Sequence, residues 1–251
     1  KPEYIIKALE AGIGVIADKP MATTLKDLDK IEAAAKKSGA RLYLMLTERF
    51  EAPVYTAKKL IDSGAIGKVV QQYLVRPHRL RPERRPEWMF DSRKYGGIIN
   101  DIGVHDFDLA MYFSGSDVKQ ILSAHTSNMR FTQYEDFCDN GMAMLKMENG
   151  GSAAVSVNWL TPDAYHAHGD MRFFLIGTHG AIDISIVDKT VRVCTDEREV
   201  YFAQIEKHPI TCAQDALNAM SDPSYTPEIS TQDSIRATRV ALQAQAIADQ
   251  L

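Results

Sequence analysis

The sequence predicts an α/β segment with a parallel sheet, followed by an α+β domain built on a large, mostly antiparallel open sheet with helices on one face. Three observations carry this prediction. Short, fully apolar runs alternate with helical periods over residues 1–48, which marks parallel strands covered on both faces. From about residue 121 the apolar period drops to two, as in half-buried strands. Two long helical patterns then close the chain. The division expected is 1–48 for the first part and 49–251 for the second.

Residues 4–11 read as a helix, with Ile5, Ala8 and Leu9 on one face and Gly12 just past its end. Gly14 to Ala17 is a short apolar strand, interrupted by Asp18-Lys19-Pro20. Thr24 reads as an N-cap with Asp27 as its capping-box partner, and Leu25, Leu28, Ile31, Ala34 and Ala35 continue a helix to Gly39. Leu42 to Leu46 is the next strand. A helix over 54–62 stops at Gly64, and Lys68 to Val75 is a strand. The Arg- and Pro-rich stretch from Arg76 to Tyr95 reads as an irregular loop, after which Gly96-Gly97 opens a helix running to about Phe113. Strands are expected at Ile121–Ser127, Gly141–Met147, Ser152–Trp159, Met171–Ile176, Ile182–Ile186, Thr190–Cys194 and Glu199–Phe202, with Asn149-Gly150 as a hairpin turn. Helices over 209–220 and 231–249 complete the chain.

The 251 residues are 45% hydrophobic and 25% charged, ordinary globular values. A net charge of -4 offers no basic field for nucleic acid or an anionic membrane. No apolar run is long enough to span a bilayer. Cys138, Cys194 and Cys212 are sparse and odd in number, which points to a reducing, cytoplasmic setting, and they lack zinc spacing, so no metal is expected. Lys1-Pro2-Glu3-Tyr4 carries neither Met nor a signal pattern and opens inside a helix, so upstream residues are expected.

Two motifs carry chemistry. Asp18-Lys19-Pro20 sits at the carboxyl end of a buried strand, the edge where open α/β sheets bind ligands. A Lys there can stabilise a developing alkoxide; a solvated strand-ending turn is the competing reading, and a cis Lys19–Pro20 bond is weakly favoured in advance. In Gly96-Gly97-Ile98-Ile99-Asn100-Asp101-Ile102-Gly103-Val104-His105-Asp106-Phe107-Asp108, an unbroken helix puts Asp101, His105 and Asp108 on one face. A His one turn from a carboxylate can act as a general base near neutral pH; a satisfied, partly buried His is the alternative. Gly103 would admit a close neighbour.

These motifs, in this order, resemble the oxidoreductase family of glucose–fructose oxidoreductase and inositol 2-dehydrogenase (Gfo/Idh/MocA). Ala8-Leu9-Glu10-Ala11-Gly12 through Val15-Ile16-Ala17-Asp18-Lys19-Pro20 is similar to its A-L-x-A-G-K-x-V-x-x-E-K-P. The likeness continues through Arg49-Phe50, Leu60 to Gly67, the Gly96-Gly97 helix, Asn149-Gly150 and the helix from Ser234 to Ala248. The resemblance implies a Rossmann cofactor domain, of which the first 48 residues are the later part, and an NAD or NADP cofactor. It implies a sugar or polyol substrate, with hydride leaving a secondary alcohol carbon. Lys19, Asp101 and His105 would be catalytic, and with His78 would bind substrate. Asp18, Lys19, Pro20, Arg49 and Trp88 would line the cofactor. A same-fold enzyme using transient oxidation for hydrolysis or isomerisation, and a non-catalytic ligand-binding homologue, are the alternatives. Two departures stand out. The family's Glu is Asp18 here, one methylene shorter, and its G-x-G-x-x-[GA] phosphate turn is absent. Roughly 70–80 upstream residues are expected to supply that turn, together with the residue that chooses NAD or NADP.

Weaker signals remain. Arg76, His78, Arg79, Arg81, Arg84 and Arg85 before Trp88 read either as a solvated basic loop or as a wall recognising an anionic or polyhydroxylated substrate. His166 and His168 read first as a surface loop, with the substrate pocket or a subunit contact as alternatives, and Trp159 reads as a core or interface aromatic or as a residue of the pocket rim. Ala153, Val155 and Val157 line one strand face that needs cover from helices or a second subunit. The resemblance implies a homodimer or homotetramer through the sheet face.

Overall fold

A computed structural model of the protein describes residues 1–250. α1 (Pro2–Glu10) starts on a proline suited to a first helical turn and buries Ile5 and Leu9. β1 (Val15–Ala17) and β2 (Leu42–Leu44) pair in parallel, with α2 (Leu25–Ser38) between them. Thr24 caps α2 by accepting the Asp27 N–H at 3.1 Å, one half of the expected capping box.

A 3-10 turn (Thr47–Phe50) and α3 (Ala52–Asp62) lead into β3 (Val69–Pro77). β3 runs two residues beyond the expected end, so Arg76 belongs to the strand and points inward rather than into the basic loop. The loop itself holds two 3-10 turns (Pro82–Arg84, Glu87–Phe90) and the single turn α4 (Ser92–Tyr95). The helix expected after Gly96-Gly97 is two pieces, α5 (Ile98–Asp101) and α6 (Val104–Ser114). The break falls at Gly103, where a Cβ would lie 2.5 Å from the Ile99 carbonyl oxygen. Gly97 (φ 84°) lies against the side chain of Gln245, which bonds the Ile99 N–H at 2.9 Å; any larger residue would collide with it.

The remaining strands are β4 (Val118–Ser127), β5 (Asn140–Met147), β6 (Ser152–Asn158), β7 (Arg172–Gly177), β8 (Gly180–Ser185), β9 (Thr190–Thr195) and β10 (Tyr201–Phe202). They form one sheet in the order β10-β9-β8-β7-β3-β6-β5-β4, antiparallel except where β3 lies beside β6. Two helices, α7 (Cys212–Ser221) and α8 (Thr231–Ala248), follow. Ala153, Val155, Val157, Leu74 and Phe173 point inward and are buried beneath α3, α5, α6 and α8, so helices rather than a partner cover that face. The outer face is open and carries Tyr73, Val75, Met142, Met144 and Phe174, each 39–54% exposed. No helix among the described residues is long and apolar enough to cross a membrane.

α8 joins the two sheets, packing on α2 and β2 as well as on β4, α5 and α6. Its first turn also closes β2. Thr231 Oγ1 accepts the Leu42 N–H and Ser234 Oγ the Leu44 N–H, both at 2.9 Å, where another strand would otherwise pair. Ser234→Ala would leave the buried Leu44 N–H without a partner. Urea unfolding of this variant is expected to show a loss of about 1–3 kcal/mol; an unchanged midpoint would refute this role for Ser234.

Candidate active site

The site grows from the turn after β1. Asp18 Oδ1 accepts the Lys19 N–H at 2.8 Å, the Lys19–Pro20 peptide is cis, and Lys1 Nζ donates to the carbonyls of Asp18 (3.0 Å) and Pro20 (2.9 Å). This frames Lys19, whose Nζ donates to Asp101 Oδ1 at 2.7 Å across 82 residues of sequence. Tyr95 OH donates to the other carboxylate oxygen at 3.0 Å, and Trp159 Nε1 donates to that hydroxyl at 3.0 Å. An indole N–H only donates and a carboxylate only accepts, so the direction of this chain is set from Trp159 to Asp101.

His105 stands in the first turn of α6, 8% exposed. Its Nδ1 is sealed from solvent with no hydrogen-bond partner among the described residues, which leaves Nε2 as the nitrogen for a ligand. Burial, and then the charges of Arg76 and Lys19, hold its pKa well below the usual histidine value. The ring is therefore neutral at physiological pH and able to accept a proton. His78 lies nearby. Its Nδ1 is 2.9 Å from the Pro77 carbonyl, an acceptor, so Nδ1 carries the proton. Burial, with the charges of Arg76 and His168, pushes its pKa down to about 3. The His78 ring lies 4.7 Å from His168 and 5.7 Å from Trp159, and the Arg85 guanidinium sits 4.9 Å above the Trp159 ring.

Around His105, α6 is clamped by two buried ion pairs. Arg76 holds both Asp106 oxygens at 2.9–3.0 Å and Glu48 at 3.0 Å. Burial lifts the Asp106 carboxyl to about 6 against the pull of Arg76, so it remains ionised at neutral pH. Arg49 grips Asp108 with Nε at 2.8 Å and a terminal nitrogen at 2.5 Å, and donates to the Glu228 carbonyl at 2.7 Å.

The structure thus gathers Asp18, Lys19, Pro20, Asp101, His105 and His78 in one region. Arg49 is not among them, because its guanidinium is committed to Asp108 and a backbone carbonyl. Trp88 is half exposed on its 3-10 turn, and the indole bonded into the cluster is Trp159. Asp108 does not share the face of Asp101 and His105, and no hydrogen bond joins His105 to Asp101. The break at Gly103 interrupts the helical register that the i, i+4, i+7 spacing assumes. Sequence reading missed Tyr95 and Lys1; for Tyr95 the available signal was a phenol directly before Gly96-Gly97.

A nicotinamide cofactor fits this donor set. The parallel strand ends here, the Lys19 ammonium has hydrogens beyond the one given to Asp101, and among the described residues His105 has no hydrogen-bond partner at either ring nitrogen.

Residues 1–46 match the family model described as the oxidoreductase family, NAD-binding Rossmann fold (GFO_IDH_MocA), and residues 54–183 match the GFO/IDH/MocA C-terminal domain. Over 97% of the chain it is 26% identical to an uncharacterized oxidoreductase, YrbE, of Bacillus subtilis, spanning 71% of that protein. Over 72% of the chain it is 29% identical to the scyllo-inositol 2-dehydrogenase (NAD(+)) of the same organism, of which the chain spans about half, 51%. A solved putative oxidoreductase from Erwinia carotovora atroseptica superposes with a TM-score of 0.91 at 29% identity, over 98% of this chain and 76% of that one.

The histidines make folding pH-dependent. His78 titrates near 6.5 when unfolded and near 3 when folded. Between these values the unfolded chain binds more protons, so stability falls as pH drops from 6.5 toward 3, by up to about 1.4 kcal/mol per pH unit. His78→Gln is expected to lose stability less steeply than wild type between pH 6.5 and 5 in urea titrations; parallel slopes would show that His78 is not held neutral.

Proposed function

The chain belongs to the GFO/IDH/MocA oxidoreductase family, and on that premise we propose that the full-length protein is a cytoplasmic NAD- or NADP-dependent dehydrogenase acting on a secondary alcohol of a sugar, polyol or related cyclic substrate. The observation that carries this reading is the Lys19–Asp101 hydrogen bond beside a neutral, unpartnered His105 at the end of a parallel strand.

When bound, the nicotinamide supplies the hydride acceptor, held along the Asp18-Lys19-Pro20 turn. His105 takes the hydroxyl proton on Nε2. Proton loss builds negative charge on the substrate oxygen, and the Lys19 ammonium stabilises it. Asp101 is gripped by Lys19 and Tyr95 at its two oxygens, which keeps the ammonium in place without bulk water. Arg76 and Lys19 both disfavour an imidazolium at His105, so its proton passes on readily to solvent.

We further propose a homodimer or homotetramer through the outer sheet face, where Tyr73, Val75, Met142, Met144 and Phe174 form an apolar patch that water covers poorly.

In the full-length protein, Lys19→Ala and His105→Ala are each expected to lower kcat by about 10²–10⁴-fold with polyol or sugar substrates. In wild type, kcat/KM for oxidation should hold level as pH falls to 6.5 and drop only below it. Turnover surviving both substitutions would sink the mechanism. Sedimentation should show a dimer or larger species for wild type and a smaller species for Met144→Glu; a wild-type monomer at micromolar concentration would overturn the assembly.

A further inference from the structure

To stabilise a developing alkoxide, the Lys19 ammonium must stay in one place, yet it ends a long, flexible side chain that solvent reaches: the Lys19 side chain is 26% exposed, against 10% for that of Asp101. A partly exposed ion pair is a loose tether. A carboxylate held at one oxygen still swings about its Cβ–Cγ bond and carries the ammonium with it. Here the swing is blocked from behind. Lys19 Nζ holds Asp101 Oδ1 at 2.7 Å, Tyr95 OH holds Oδ2 at 3.0 Å, and Trp159 Nε1 donates to Tyr95 OH at 3.0 Å. The phenol has a single hydrogen. Its partner Trp159 cannot accept it, so it goes to Asp101.

Tyr95 and Trp159 are themselves well fixed, at 4% and 3% exposure. Tyr95 closes α4, and its ring lies 5.8 Å from that of Phe137, which packs edge-on against Phe90 at 5.3 Å. Trp159 follows β6 directly. Its backbone N–H bonds the Asp139 carbonyl at 2.8 Å, and the Arg85 guanidinium covers its ring. Both residues belong to the large-sheet part of the chain, whereas Lys19 stands on the turn after β1. The chain of bonds thus carries the rigidity of the sheet across to a lysine on the other part.

We propose that Tyr95 and Trp159 are positioning residues for the dehydrogenase reaction, acting on Lys19 through Asp101 without touching the substrate. The proposal rests on the dehydrogenase reading and adds to it the two side chains that hold its cation in place. Without the phenol hydroxyl, Asp101 is held by Lys19 alone and the ammonium samples positions away from the substrate oxygen. Substrate binding draws on many contacts and changes little. Stabilisation of the alkoxide depends on this one contact and is lost, so the defect falls on kcat rather than KM.

The test uses the full-length protein with NAD or NADP and a panel of cyclic polyols and hexoses. Tyr95→Phe, nearly isosteric, should lower kcat by about 10–100-fold with KM within about threefold. Trp159→Phe removes only the outer donor and should lower kcat by about three- to tenfold. The double variant should match Tyr95→Phe within about twofold, and Tyr95→Phe added to Lys19→Met should cost no more than about twofold further. A general loss of structure would instead add to the Lys19→Met defect. Wild-type kcat in Tyr95→Phe, a loss confined to KM, or full additivity with Lys19→Met would each overturn the proposal. No turnover across the panel would reject the dehydrogenase reading, and the positioning role would then be judged without activity. In protein labelled with 15N-lysine, the Lys19 ammonium signal, identified by its absence in Lys19→Met, should be sharper than those of exposed lysines and should broaden in Tyr95→Phe. A signal no sharper than theirs, or one unchanged in Tyr95→Phe, rejects the role.

Discussion

A helix buried on every side must neutralise each charge it carries, and this constraint on α6 organises the molecule. His105, Asp106 and Asp108 are consecutive or nearly so, and all are buried. Asp106 turns to Arg76 on β3 and Asp108 to Arg49 in the turn after β2, each carboxylate held through both oxygens. Removing one partner from such a pair leaves an uncompensated buried charge at a cost of about 3–5 kcal/mol. The pairs therefore fix α6 in rotation and height between the large sheet and the small one. His105, directly before the two clamped acids, inherits that position without a side-chain hydrogen bond of its own to the described residues.

The same pairing tunes the site. Arg76 is fully buried and serves Asp106, yet its charge also bears on His105 and His78 and helps keep both rings neutral. One guanidinium thus stabilises an acid and suppresses protonation of two bases. Lys19 reaches this environment from the other sheet, and its bond to Asp101 depends on α5 lying close to the turn after β1. Gln245 of α8 makes that approach possible by packing on Gly97 and bonding the Ile99 N–H, while Thr231 and Ser234 of the same helix close β2. The long terminal helix is the brace that sets the distance between the two halves of the site.

Much of this was legible in the order of residues. Continuous apolar runs at Val15–Ala17 and Leu42–Leu44 announced a parallel pair, and strict alternation in Ser152–Asn158 announced a strand with one buried face. Asn149-Gly150 placed a hairpin, and Lys19, Asp101 and His105 stood out because their chemistry suits alcohol oxidation at a strand end. These signals are local: a period, a turn dipeptide or a cap is written in a few neighbouring residues and needs no knowledge of what packs against them.

Other features depended on contacts between distant segments. Arg49 looked available to a cofactor and is spent on Asp108, 59 residues away. Asp108 looked like a third member of the Asp101 and His105 face until the Ile99 carbonyl closed in at Gly103 and broke the helix. The bond between Tyr95 and Trp159 had no signal of its own, because a hydrogen bond across 64 residues leaves no mark in spacing. The sequence by itself determined the element types, the two-part fold and the residues proposed to do the chemistry, since short-range periodicity and side-chain identity suffice for these. The tertiary structure alone decided which charges are consumed as internal ion pairs and which remain free to act, because pairing in a buried core depends on the neighbours each charge meets.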